Sequence, residues 1–134
     1  MMKTDYTFGI MLRLPVHQAR PLVEVALQRE GFGVLTEIDV AATMQAKLSV
    51  EWSPYLILGA CNPSLAHRAL QADPSIGALL PCNVVLREEA GQTVVEAMDP
   101  RAVIGLVENP EVEAVAAEAE ERLRRVIGSL GADG

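Results

Sequence analysis

Hydrophobic and polar residues alternate along the first part of the chain. From residue 6 to residue 14 every second side chain is apolar, which is typical of a strand with one face on the core. A helix is predicted over 18–30, since Pro21 falls in its first turn and Gly31 can end it. Residues 33–38 predict a second strand, and Asp39 is the expected N-cap of a short helix that ends near Leu48.

The middle of the chain is more hydrophobic. Residues 55–61 (YLILGAC) are apolar on both alternating faces, as in a central strand covered on both sides. Asn62 and Pro63 supply a cap and a first-turn proline for a helix that reaches about residue 72. Residues 82–88 and 93–98 predict a hairpin with Gly91 in its turn.

The last third of the chain predicts helix. Asp99 and Pro100 open a brief helical turn, and Pro110 starts a long helix whose apolar residues follow a three-and-four spacing. The order of elements gives five strands joined by hairpins and crossovers, hence an α+β fold. We expect one domain over residues 1–134, with a core over about 6–130 and a disordered tail at 131–134.

Composition and charge narrow the class of protein. The 134 residues are 50% hydrophobic and 22% charged, which is ordinary for a soluble globular domain. A net charge of −7 disfavours binding to nucleic acid or to an anionic membrane surface. No apolar run is long enough to span a membrane, and the first residues show no signal-peptide pattern. The expected compartment is the cytoplasm, where thiols stay reduced.

Several stretches of the sequence resemble a known family. TEIDV at 36–40, ILGACNPSLAHRAL at 57–70 and LLPCNVVLRE at 79–88 resemble the uncharacterised domain-of-unknown-function family numbered 302, across nearly the whole chain. The resemblance implies a TATA-box-binding-protein-like architecture: one five-stranded, mostly antiparallel sheet, two main helices and short inserted helices, in the order β-α-β-β-β-β-α. The family implies a fold and no reaction, and the charge argues against DNA binding here.

The two cysteines are the most distinctive chemical feature. Cys61 comes just before a predicted helix start, where free amides and the helix dipole favour a thiolate or a small anionic ligand. Burial in an apolar strand would oppose that ionisation. Cys82 is in phase with Val84 and Leu86, so we expect it to point inward. The two cysteines can share a site only if their strands are antiparallel neighbours; otherwise they serve packing.

His67 could join the two cysteines in a metal site. Cys61, Cys82 and His67 would form a Cys₂His set for zinc or copper. The spacing is unlike the short C-x-x-C pairs that mark metal sites. A solvated or core-edge histidine is the alternative.

Four polar residues complete the set of ligand-binding candidates. Asn62 and Asn83 adjoin the cysteines, and they either contact a ligand or bond their own turns. Glu37 and Asp39 alternate along one strand face and could form a carboxylate pair for acid–base chemistry. In the structural alternative Asp39 caps a helix, and Glu37 pairs with Lys47 or an arginine.

Three functional hypotheses follow from these features. The first is a small cytoplasmic ligand-binding or interaction domain that forms a homodimer through an open sheet face, with Met11 and Val85 as contact residues. The second is a thiol or metal-binding protein, and the third is an enzyme that uses Glu37 and Asp39. The common phosphate-loop, dinucleotide and hydrolase motifs are absent from the sequence, and whether the protein is an enzyme stays open.

Overall fold

The structure, a computed structural model, describes residues 1–133 of the chain. The strands are β1 (Met2–Lys3), β2 (Thr7–Leu12), β3 (Gly33–Asp39), β4 (Tyr55–Cys61), β5 (Cys82–Glu89) and β6 (Gln92–Met98). The helices are α1 (Val16–Arg29), α2 (Val40–Leu48), α3 (Pro63–Ala72), α4 (Pro100–Ile104) and α5 (Pro110–Asp133), with a 3₁₀ helix at Pro74–Leu79.

The strands form one antiparallel sheet in the order β1-β2-β6-β5-β4-β3. The predicted α+β class with a single antiparallel sheet is therefore confirmed. The predicted number of five strands is wrong, because β1 adds a sixth strand at one edge of the sheet. A two-residue strand is too short to show an alternating pattern.

One face of the sheet carries the main core. Phe8, Leu58 and Leu86 point from the strands toward α1 and α5, and all three are fully buried there. The helices supply Val23 and Leu27 from α1 and Leu123, Val126, Ile127 and Leu130 from α5. The three-and-four spacing seen in the sequence is thus the buried stripe of α5.

The helices between α1 and α5 are more than short insertions. Leu65 and Ala69 of α3, with Ile104 of α4, pack against the first half of α5 and form a second hydrophobic cluster. The remaining buried members of this cluster are Ile76, Val112, Val115, Ala116 and Ala119. This second layer corrects the expected arrangement of two main helices with minor additions.

The opposite face of the sheet is mixed in character. One cross-strand row runs through Met11, Val94, Arg87 and Tyr55. On this face the guanidinium of Arg87 pairs with Glu96 at 3.0 Å and with Glu89 at 2.8 Å. Charged side chains therefore cover the centre of this face.

The carboxyl end of the chain departs from expectation. The predicted tail at 131–134 is helical as far as Asp133, because α5 continues through it, and Gly134 lies outside the described residues. Along residues 1–133, no helix has both the length and the apolar character needed to cross a membrane.

Candidate functional site

The two cysteines lie at the same end of the sheet. Strands β4 and β5 are antiparallel neighbours, and Ala60 is the Cα partner of Cys82. Cys61 is the next residue along β4, so the strand arrangement that a shared site requires is present. Both thiols are free: Cys82 is buried in the main core and Cys61 is half-buried.

The space around the cysteines is small and apolar. Cys61 and Cys82 help to line a cavity of about 30 Å³ whose other walls include Ala60, Ala69 and Leu80. A cavity of this size holds about one water molecule, whereas pockets for small molecules measure roughly 300–1,000 Å³. This cavity is a packing gap, too small for an organic ligand.

Burial keeps both thiols protonated at neutral pH. Burial raises the pKa of Cys61. It also raises the pKa of Cys82 to about 11, with a further contribution from the neighbouring Cys61. The loss of solvation thus outweighs any stabilisation of a thiolate by the start of α3. Because the thiolate is the nucleophile and the metal ligand, this environment disfavours both kinds of chemistry.

Asn62 holds together the start of α3. Its Oδ1 accepts a hydrogen bond from the backbone N–H of Leu65 at 3.2 Å, so the predicted N-cap is confirmed. Its Nδ2 donates to the backbone carbonyl of Glu30 at 3.4 Å. Asn62 is only 9% exposed, and both ends of its side chain serve the fold. Asn83, by contrast, is exposed on β5 opposite Gly59.

The structure does not assemble the Cys₂His set. Residues 1–133 contain no group of three or more His, Cys, Asp or Glu side chains arranged to hold a metal ion. His67 is exposed on α3, whereas Leu65 and Ala69 of the same helix are buried. The helix therefore directs His67 to its solvent side.

Glu37 and Asp39 each have a separate structural partner. The Nε of Arg20 in α1 donates to Glu37 Oε1 at 2.7 Å, so the partner of Glu37 is an arginine and not Lys47. Asp39 Oδ1 accepts from the backbone N–H of Ala42 at 2.9 Å and caps α2, as the sequence predicts. The structural alternative accounts for both carboxylates.

A larger cleft than the cysteine cavity lies elsewhere on the sheet. It has a volume of about 410 Å³ and is bordered by the start of α1, the junction of β3 with α2 and the ends of β4 and β5. Only Asp39 among its lining residues is a candidate from the sequence; His17 and Glu88 are not. The sequence predicts that one strand ends near residue 39 and another near residue 88. Whether these two strand ends border the same cleft depends on the strand register, which no local pattern reveals.

The fold defines a small α+β protein with one antiparallel sheet and two helices packed on one face. Residues 5–130 match DUF302, described as a domain of unknown function. The chain belongs to this family, as the sequence motifs predict.

A solved structure shares the same architecture. It is the uncharacterized conserved protein DUF302 from Bacillus stearothermophilus, with 29% sequence identity and a TM-score of 0.84. The similarity covers 91% of this chain and 95% of the Bacillus chain. No curated protein matches the sequence.

Proposed function

We propose that this protein is a self-associating interaction domain that works as a homodimer in the cytoplasm. The observation that carries the proposal is a concentration of exposed apolar side chains in one segment. Leu35, Ile38, Leu48, Val50 and Trp52 are each 41–67% exposed, and we call these five residues the 35–52 surface. Exposed apolar residues that a partner can cover together are typical of interaction sites, whereas those scattered singly need no such explanation.

Helix α2 lies in the middle of this segment and lacks a core of its own. None of its nine residues is buried, although Val40 and Met44 are half-buried. A helix this short is marginal without tertiary packing. A second protomer packed over the 35–52 surface would supply contacts for α2.

Strand β3 gives this surface a free edge. It is the last strand of the sheet and pairs only with β4 among the described residues. A shift in register between Val34 and Thr36 marks a bulge that includes the exposed Leu35. Bulges limit pairing at sheet edges, so the part of β3 after the bulge is the part open to a second chain. A two-fold axis beside β3 would bring two such edges together.

The two contact residues expected from the sequence, Val85 and Met11, lie at different distances from β3 in the sheet. Val85 lies in a cross-strand row with Ile57 and Ile38, so it extends the apolar surface inward from β3. Met11 is on β2, which β6, β5 and β4 separate from β3 in the sheet. We therefore place Val85 within the interface and Met11 outside it.

The surface area that each protomer of a homodimer would have to bury is modest. A stable interface buries about 800 Å² on each partner, which is roughly a tenth of the 7374 Å² accessible surface of this chain.

The two free thiols fit a reducing compartment such as the cytoplasm.

Sedimentation equilibrium at micromolar concentration tests the proposal. We expect a dimer of the natural chain and a monomer of Leu35→Lys, because a buried lysine at the interface would lose its hydration. Leu106→Lys is the matched control, since Leu106 is 87% exposed and lies outside the 35–52 surface. Circular dichroism checks that each variant is folded. A natural chain that stays monomeric, or a Leu106→Lys variant that dissociates like Leu35→Lys, rules out this interface.

A further inference from the structure

We propose that the 410 Å³ cleft binds a small organic cation, namely a protonated amine carried on an apolar body. This site is separate from the cysteines and goes beyond the proposed self-association. Its volume falls within the range of small-molecule sites, roughly 300–1,000 Å³.

Strand register brings two carboxylates to the same side of the sheet. Asp39 of β3 is the Cα partner of Leu56 in β4, and Leu56 is the partner of Leu86 in β5. Glu88 follows Leu86 by two residues and therefore faces the same side. The backbone N–H of Glu88 donates to the carbonyl of Pro54 at 2.9 Å, which fixes this end of β5 against β4. Asp39 therefore lies beside Leu56 on β3, while Glu88 lies on β5 two residues beyond the partner of Leu56, and both border the cleft.

The walls between these carboxylates suit the apolar part of a ligand. Val16, Ala41 and Leu56 contribute aliphatic surface to the cleft, while His17 adds an imidazole at the start of α1. A neutral imidazole can accept a hydrogen bond from an ammonium group. Asp39 uses Oδ1 to cap α2, but a carboxylate has about four acceptor positions and can bind a second donor.

The charges of the cleft favour a cation over an anion. Neither Lys nor Arg is among the nine residues that line it. The amino end of α1 borders the cleft and would attract an anion, but a helix end carries only about half a positive charge. Two full carboxylate charges outweigh it. A lone metal ion is not the expected ligand, since residues 1–133 provide no three-ligand group for one.

Titration with 2-phenylethylamine, followed by ¹H–¹⁵N NMR and calorimetry, tests the proposal. We expect saturable shifts at residues around the cleft, with a dissociation constant on the order of 1 mM for so small a ligand. The comparison ligand is 3-phenylpropionate, which has a similar apolar body and the opposite charge. We expect it to bind at least about tenfold more weakly, because it meets two like charges.

Two variants and one control locate the site. Glu88→Gln and Asp39→Asn should each weaken amine binding about five- to tenfold, since each removes one nearby charge. Asn is also a good N-cap, so Asp39→Asn preserves α2. Glu121→Gln removes one charge from the exposed side of α5 and should leave binding unchanged.

Several results would overturn the proposal: no saturable shift, equal binding of 3-phenylpropionate, or amine affinities of Glu88→Gln and Asp39→Asn that match Glu121→Gln. Repeating the titration with Leu35→Lys separates this test from that of the dimer, because the cleft belongs to one protomer. If the natural chain and Leu35→Lys both bind the amine, the result supports the site whether or not the protein forms a dimer.

Discussion

The side-chain amide of Asn62 donates a hydrogen bond to the backbone carbonyl of Glu30 at 3.4 Å, across 32 positions of sequence. The same carbonyl accepts from Nη1 of Arg122 at 3.0 Å. Glu30 is the C-cap of α1, Asn62 is the N-cap of α3, and Arg122 belongs to α5. One carbonyl group therefore joins the ends of two helices to the middle of a third, and satisfies an acceptor that the end of α1 leaves free.

Substitutions of Asn62 should separate its two bonds. Asn62→Ala loses both the cap and the bond to Glu30, and we expect a loss of about 2–3 kcal/mol in the free energy of unfolding. Asn62→Ser keeps a hydroxyl oxygen for the Leu65 amide and loses the bond to Glu30, so we expect a loss of about 1 kcal/mol. Urea denaturation measures both values. Equal losses in the two variants would show that the cap contributes little.

The turn between β5 and β6 holds an alanine in an unfavourable conformation. Ala90 has φ 54° and Gly91 has φ 79°, so both central residues of this hairpin turn are left-handed. Asn-Gly is the preferred pair in such turns, whereas alanine costs roughly 1 kcal/mol there. We expect Ala90→Asn to stabilise the protein by about 0.5–1 kcal/mol and to raise Tm by a few degrees. Ala90→Val should lower Tm, and a Tm of Ala90→Asn below that of the natural chain would contradict the argument.

Local sequence signals predicted most of the fold. β4 and α3 begin and end at the predicted residues, because an apolar run is followed directly by an Asn-Pro helix start. The 3₁₀ helix at Pro74–Leu79 was missed, since it is short and has a single buried residue, Ile76. The register of β3 against β4 depends on pairing between distant segments, so no local pattern could give it.

In the candidate site, too, the features set by residues close in sequence were predictable, and those set by distant residues were not. The caps at Asp39 and Asn62 were predictable, because a cap involves an oxygen and an amide only three residues away. The partner of Glu37 was left open in the sequence, as Arg20 comes from the preceding helix. The ionisation of the cysteines could not be decided either, since it depends on how deeply the packed helices bury them.

If Glu37 and Asp39 serve only to stabilise the fold, substituting them should lower the stability by different amounts. Glu37→Gln breaks a solvent-accessible ion pair with Arg20, and such pairs contribute about 0–1 kcal/mol. Asp39→Ala removes the cap of α2 and should cost about 1 kcal/mol, while Asp39→Asn should cost little. Thermal unfolding of the three variants makes the comparison. A loss in Asp39→Asn as large as in Asp39→Ala would mean that the charge of Asp39, and not its cap, stabilises the fold.

The buried thiol of Cys82 should make stability fall at alkaline pH. The fold raises the pKa of Cys82 from 9.0 to about 11, so the unfolded chain releases this proton first. The stabilisation is therefore complete below pH 9 and is lost as pH rises from about 9 to about 11. Two pKa units correspond to roughly 2–3 kcal/mol.

The Cys82→Ala variant isolates this contribution from lysine and tyrosine ionisation. The variant will be less stable at pH 7 because its smaller side chain leaves a gap in the core. We expect the difference in unfolding free energy between the natural chain and Cys82→Ala to shrink by about 2 kcal/mol between pH 8 and pH 11. Urea denaturation at four pH values measures that difference. Parallel pH profiles would show that Cys82 ionises as easily in the folded protein as in the unfolded chain, and the thiol would then be available for chemistry at this end of the sheet.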